Sequence, residues 1–226
     1  MKETLKFLKE LRINNNREWF NENKQRYNEA RGRVEALTLR LLAALSEIEP
    51  ECGRMAPADC MYRIYRDTRF SPDKTPYKSH IGVYMNPHGG KKSILGGFYL
   101  HLEPGNCLVA GGIWCPPASV LKALRQDIFD NVEEYLEIIN APEFGKYIDQ
   151  VGEDCLKTVP KGFPKDWGHI ELLRPRSFTV YSKFSDAEVC KTGFEDEVMR
   201  RFRVIKPYND FLNYSFEEHP DIPKFF

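Results

Sequence analysis

An α+β fold, with a mostly antiparallel sheet packed with a long N-terminal helix and C-terminal helices, is predicted by three observations. Apolar residues recur at spacings of three and four from Trp19 to Ile48. Between residues 62 and 114 the period falls to two, and short Gly- and Pro-containing loops separate the alternating runs, the pattern of strands joined by tight connections. Helical spacing returns after Pro116-Pro117 and again near the C-terminus.

In order along the chain, Leu5, Leu8 and Leu11 mark a short amphipathic helix over 3–12 that Asn14-Asn15-Asn16 breaks. Asn15, followed three residues on by Glu18, predicts an N-cap with a capping-box partner. The helix it starts carries Trp19, Asn23, Tyr27, Ala30, Val34, Leu37, Leu41, Leu45 and Ile48 on one side and ends at Pro50. Alternation over 62–67 predicts a strand with two differently dressed faces, and Ser71-Pro72-Asp73-Lys74-Thr75-Pro76 a polar turn region. Further strands are predicted at 81–85, at 98–103, where Phe98, Leu100 and Leu102 alternate with Tyr99, His101 and Glu103, and at 106–114. A helix begins at Pro116-Pro117, a proline being tolerated in the first turn, and its continuation holds six acids and no base from Gln126 to Gly145. That acidic face reads as a solvated surface or, functionally, as a surface for a cation or a basic partner. Residues 152–177 are loop-rich, a short strand is predicted at 178–182, and two helices, 192–204 and 208–216, close the chain, the second started by Pro207. An irregular tail from 217 to 226 follows, packed by Phe225 and Phe226 or frayed. No repeat, low-complexity segment or linker interrupts this order, so residues 1–226 are read as one domain.

Composition narrows the functional classes. The 226 residues contain 33 basic and 33 acidic side chains, so no global field favours nucleic acid or an anionic membrane, and any such binding rests on a local patch. The N-terminus interleaves charge with apolar residues, unlike a signal peptide, and nothing approaches the roughly 20 apolar residues of a membrane span. A cytoplasmic protein without membrane contact is expected. Six cysteines occur with no Cys-x-x-Cys pair and no tight Cys/His cluster, so neither a metal site nor a cofactor is predicted, and the thiols read as buried and inert.

The exception to this neutrality is residues 61–82. Arg63, Arg66, Arg69, Lys74 and Lys78 stand there beside only Asp67 and Asp73, an island of +3 (five bases minus two acids). A guanidinium cannot shed its charge, so three arginines within seven residues either satisfy internal carboxylates or await an anion. In the first reading the motif is an ion-pair framework inside a non-enzymatic interaction module. In the second it binds the phosphate or carboxylate of a small molecule or nucleotide, with Arg63, Arg66, Asp67, Arg69, Lys74, Tyr77, Lys78 and Tyr99 as binding candidates and His101 and Glu103 as candidates for proton transfer. A third reading, nucleic-acid binding, has Tyr62, Tyr65, Phe70 and Tyr77 interleaved with the bases, but overall neutrality and the acidic helix oppose it. Gly111-Gly112 ahead of the Pro116 helix start reads either as room for a ligand or as sheet curvature. Reaction, substrate and oligomeric state are not legible from these residues.

The spacing Arg63-x-x-Arg66-Asp67-x-Arg69-Phe70-x-x-x-Lys74-x-x-Tyr77 resembles the signature of a largely bacterial family of about this length, domain of unknown function 2461. The Asn15-Asn16-Arg17-Glu18-Trp19-Phe20 opening, the His101-Leu102-Glu103-Pro104-Gly105 turn and Gly111-Gly112-Ile113-Trp114 are similar to it as well. The resemblance covers essentially the whole chain. It implies a single α+β domain and brings no activity, cofactor or catalytic residue with it.

Overall fold

Helical faces and alternating strands assemble as an α+β structure, a computed structural model that describes residues 1–218. The order is α1 (Lys2–Ile13), α2 (Arg17–Glu22), α3 (Lys24–Leu45), α4 (Pro57–Cys60), β1 (Ile81–Met85), β2 (Phe98–Leu102), β3 (Cys107–Ile113), α5 (Ala118–Asp130), α6 (Val132–Ile139), α7 (Pro142–Tyr147), β4 (Gln150–Glu153), β5 (Ser177–Phe184), α8 (Asp186–Val189) and α9 (Phe194–Glu218). The strands form one antiparallel sheet in the order β1-β2-β3-β5-β4. In the last pair, Gln150 lies opposite Tyr181 and Val151 opposite Val180, with a register shift before Glu153.

The chain divides into two compact units. The first takes Met1–Lys91, Tyr99–Val109 and Lys183–Met199, and the second takes Lys92–Phe98, Ala110–Ser182 and the chain from Arg200 on. In the first, α1 buries Leu5, Leu8 and Leu11 while α3 buries Tyr27, Ala30, Val34, Leu37, Leu41 and Leu45, and the two helices pack together. Each such leucine, fully buried, contributes about 1.5–3 kcal/mol of transfer free energy. On β1, Ile81, Val83 and Met85 are buried, and on β2, Leu100 and Leu102 are, so alternation directs His80, Gly82, Tyr99 and His101 away from the apolar face.

In the second unit, Phe98 packs on Phe202, and Tyr135 on Tyr208 and Phe211. Two asparagines of α9 bind backbone there. Asn209 donates to the Gly97 carbonyl and accepts from the Gly112 N–H, and Asn213 does both with Gly96. A Cβ on Gly111 would stand 2.1 Å from Ile205 Cγ2, and Gly112 has φ +87° with the Phe178 carbonyl 2.0 Å from its missing Cβ. This glycine pair is therefore filled by protein and leaves no ligand space.

Five local expectations are corrected. Asn16, not Asn15, caps α2, accepting from the Trp19 N–H, and the predicted long helix is interrupted at Asn23, whose side chain donates to the Trp19 carbonyl. The segment 62–67 is extended without becoming a strand. Only isolated bridges form, Met61 with Val83 and Tyr65 with Tyr77, because Pro76 offers no N–H to continue a ladder. Pro207 does not separate two helices, since α9 runs through it. Phe202, Ile205, Tyr208, Phe211 and Leu212 are buried on both sides of the proline, and their burial outweighs its cost of about 3 kcal/mol. Strand β4 falls where loop was expected, at the edge of the sheet. The expected tail, beyond Glu217 and Glu218 at the end of α9, lies outside the described residues.

Candidate functional site

The polar face of β1 and β2 meets the segment 61–79, and all the groups involved belong to the first compact unit. The segment is tied back on itself by backbone: Tyr62 N–H donates to the Gly82 carbonyl, Lys78 N–H to Ile64 and Arg66 N–H to Pro76. Asn15, freed from capping, both donates to the Tyr77 carbonyl (2.9 Å) and accepts from its N–H (3.0 Å). Tyr77 itself is buried and stacked on Phe20 with ring centroids 3.9 Å apart, so it anchors the segment.

The basic motif separates into two groups. Arg66 is bound by the Asp73 carboxylate and the Thr75 hydroxyl, and Arg69 holds Asp67 through Nε and Nη2 at 3.0 and 2.6 Å. Arg69 brings the Asp67 carboxyl down to about 2, and Arg66 with the Thr75 N–H and hydroxyl does the same for Asp73. Lys74 Nζ donates to the Thr68 carbonyl, which closes the loop. At its tip Phe70 is 93% exposed.

Arg63 and Lys78 differ from these. Among the described residues neither has a carboxylate within ion-pair distance. Lys78 is half-buried, its ammonium 5.4 Å from the centre of the Tyr62 ring, and burial followed by repulsion from Arg63 lowers its pKa. Two cations thus lie close together without the paired carboxylate that Arg66 and Arg69 possess, Asp67 acting on Arg63 only beyond ion-pair distance.

Beside them runs a chain of hydrogen bonds along β2. Tyr99 Oη lies 2.9 Å from His101 Nδ1, and His101 Nε2 lies 3.2 Å from Glu103 Oε2. Glu103 also accepts from Ser79 Oγ at 2.9 Å and Asn106 Nδ2 at 3.1 Å. Burial alone would raise the Glu103 pKa, but the bonds from Asn106, His101 and Ser79 outweigh it and hold the carboxyl below its ordinary value. An ionised Glu103 only accepts, so the neutral imidazole carries its proton on Nε2 and takes the Tyr99 hydroxyl proton at Nδ1. Burial, with Tyr62 and Glu103 adding smaller effects, raises the Tyr99 pKa well above that of a free phenol. Gly82 accommodates this tyrosine: a Cβ there would meet Tyr99 Oη at 2.7 Å and Tyr62 Cδ2 at 3.3 Å. His80 stacks on His101 with centroids 4.4 Å apart, and burial, then His101, then Lys78, hold it down at about 4 against a partial pull from Glu103.

Of the residues singled out from sequence, the fold brings Tyr99, His101 and Glu103 together, with Lys78 near them beside Tyr62 and His80, and Arg63 near Lys78 and Asp67. It places Arg66, Asp67, Arg69 and Lys74 in the self-paired loop and Tyr77 in the core. Sequence reasoning passed over His80, Ser79 and Asn106. His80 had a signal, since it shares the alternation of Gly82 and Tyr84, but Asn106 is brought to Glu103 only by the Pro104-Gly105 turn. Elsewhere on the surface, Glu49, Glu51 and His88 bring ligand-type atoms within 4.8 Å of one another, with His88 Nε2 3.4 Å from Glu51 Oε2. Among the described residues no helix is long and apolar enough to cross a membrane.

Neither a curated protein nor a solved structure matches the chain. The family described as "Conserved hypothetical protein (DUF2461)" does, over residues 3–211, a span that contains the self-paired loop, the uncompensated cations and the whole Tyr99–His101–Glu103 chain. The protein belongs to that family.

Proposed function

We propose that the protein binds an anionic small molecule, bearing phosphate or carboxylate, at Arg63 and Lys78 beside the Tyr99–His101–Glu103 chain, in a reducing cytoplasm to which its six free thiols are suited. One observation carries the reading. A half-buried ammonium lies beside an exposed guanidinium, neither of them in an ion pair, and burial and mutual repulsion lower the ammonium's pKa; a bound anion offsets that repulsion while gaining charge-assisted hydrogen bonds. Nature and number of donors suit an oxyanion: a planar guanidinium and a point-charge ammonium.

The test is a thermal-shift titration with inorganic phosphate and with citrate on the wild type, Lys78→Met, Arg63→Gln and Arg66→Ala. A native-state ligand at one hundred times its Kd adds about 2.7 kcal/mol of stability. Stabilisation is expected in the wild type and in Arg66→Ala, and its loss in Lys78→Met and Arg63→Gln. Equal shifts in all four proteins, or none in the wild type, would overturn the reading. The self-pairing of Arg66 and Arg69 supports a second role for that part of the motif, an internal framework that presents the exposed Phe70 to a protein partner. That reading expects Arg66→Ala to lose stability with anion binding unchanged.

A further inference from the structure

We propose that Tyr99, His101 and Glu103 form a nucleophile–base–orienter triad in which Tyr99 Oη attacks an electrophilic acyl, phosphoryl or sulfonyl centre carried by an anionic substrate. The proposal rests on the anion site for its substrate class, and on the geometry of β2 for its chemistry.

Base-assisted nucleophiles share one arrangement: a hydroxyl within hydrogen-bond reach of an imidazole nitrogen, and a carboxylate on the other nitrogen fixing tautomer and ring orientation. Here the two links are 2.9 and 3.2 Å. The carboxylate is itself fixed by Ser79 and Asn106, so the outer end of the chain is held by residues from two different segments. The three side chains come from alternate positions along one extended segment, 99, 101 and 103, and strand geometry alone brings them to one face. His80, stacked on His101, is neutral at pH 7 and adds no charge to oppose protonation of its neighbour. Tyr62, Tyr84 and Lys78 are further titratable groups on this side, and Lys78 with Arg63 supplies the positive charge that would draw an anionic substrate toward Tyr99.

Tyr99 Oη forms a bond to the electrophilic atom as its proton passes to His101 Nδ1. The resulting imidazolium is stabilised through Nε2–H by Glu103, which stays ionised. The bond to the leaving group breaks, and that group departs with the electron pair, either as a free anion or protonated from His101 Nδ1. The base is required because a phenol is protonated at neutral pH and burial disfavours its anion further, so an unassisted hydroxyl here would be a poor nucleophile.

The experiment uses two aryl sulfonyl fluorides at pH 7, the anionic 4-(fluorosulfonyl)benzoate and the neutral benzenesulfonyl fluoride, with the modified residue identified by tandem mass spectrometry. Sulfonylation of Tyr99 is expected, faster with the anionic probe and slowed by inorganic phosphate. General-base assistance is typically worth 10²–10⁴-fold, so His101→Gln should slow labelling of Tyr99 by at least about tenfold with either probe. Tyr99→Phe should abolish it. Glu103→Gln, whose amide keeps a hydrogen-bond partner at this position, should slow it as well, and ¹⁵N NMR of the wild-type imidazoles should show His101 as the Nε2–H tautomer. That spectrum needs no variant and still decides the matter if a substitution unfolds the chain: an Nδ1–H tautomer overturns the triad. Labelling of Tyr62 or Lys78 in place of Tyr99, or Tyr99 labelling indifferent to His101→Gln, also overturns it and leaves the anion site intact. Equal His101-dependent rates for the two probes would instead retain the triad and remove the anion reading.

Discussion

Lowering the pH from 7 to 5 should destabilise the wild-type protein more than a His80→Gln variant. The His80 imidazole ordinarily titrates at 6.5, and in the fold burial, His101 and Lys78 hold it at about 4, with Glu103 pulling partly the other way. Below 6.5 the unfolded chain takes up a proton at this position that the folded chain refuses until about 4. Stability is therefore full above 6.5, declines across the window from 6.5 to 4, and is flat below it as far as this residue is concerned. The complete window corresponds to about 3 kcal/mol at about 1.4 kcal/mol per pH unit, and the part between pH 7 and 5 to about 2. His80 is only half-buried, and solvent screening reduces the latter figure to about 1 kcal/mol. Urea denaturation of both proteins at the two pH values, followed by tryptophan fluorescence, measures it, because titrations of groups distant from His80 cancel in the difference. A wild-type loss within about 0.3 kcal/mol of the variant's would refute the reasoning, since it would mean that the imidazole keeps its ordinary affinity for protons beside His101.

Two further substitutions test how the site is held and how α9 packs. Asn15→Ala removes both hydrogen bonds to the Tyr77 backbone and leaves a buried residue's polar groups unmet, so a loss of about 1–3 kcal/mol in urea denaturation is expected; a loss under about 0.5 kcal/mol would show that the anchoring lies elsewhere. Gly111→Ala sets a methyl 2.1 Å from Ile205 Cγ2 and 2.9 Å from Asn209 Oδ1, and should cost about 1–3 kcal/mol by thermal denaturation. Adding Ile205→Ala should recover part of that loss, and no recovery would place the conflict at Asn209.

What was legible in the sequence was what depends on short-range periodicity. The alternation of Phe98, Leu100 and Leu102 with Tyr99, His101 and Glu103 identified both the strand and the face on which those three polar side chains meet. The excess of bases over acids singled out the segment that packs against that face. What escaped was decided by distant partners. Arg63 and Arg66 look equivalent in sequence, yet Arg66 pairs with Asp73 on its own loop while Arg63, among the described residues, forms no ion pair and acts on Asp67 only at longer range. Asn15 carries a capping pattern, yet its amide is used by Tyr77, 62 positions later, and the cap falls to Asn16. Segment 62–67 has strand alternation but faces Pro76, and Pro207 has the form of a helix start but is overridden by burial on either side. Propensity is a local quantity, and tertiary contacts outweigh it by several kcal/mol at such points.

The amide clamps of α9 also govern when the second compact unit can form. Asn209 reaches Gly112 across 97 positions and Gly97 across 112, and Asn213 reaches Gly96 across 117. At about 5–20 residues per second, a ribosome that has just made Gly112 needs about 5–20 s more to reach Asn209. Throughout that interval the glycine backbone from 96 to 112 has only water for these partners. Closure of this unit therefore waits until Asn209 and Asn213 have been made, after the last strand of the sheet at Phe184.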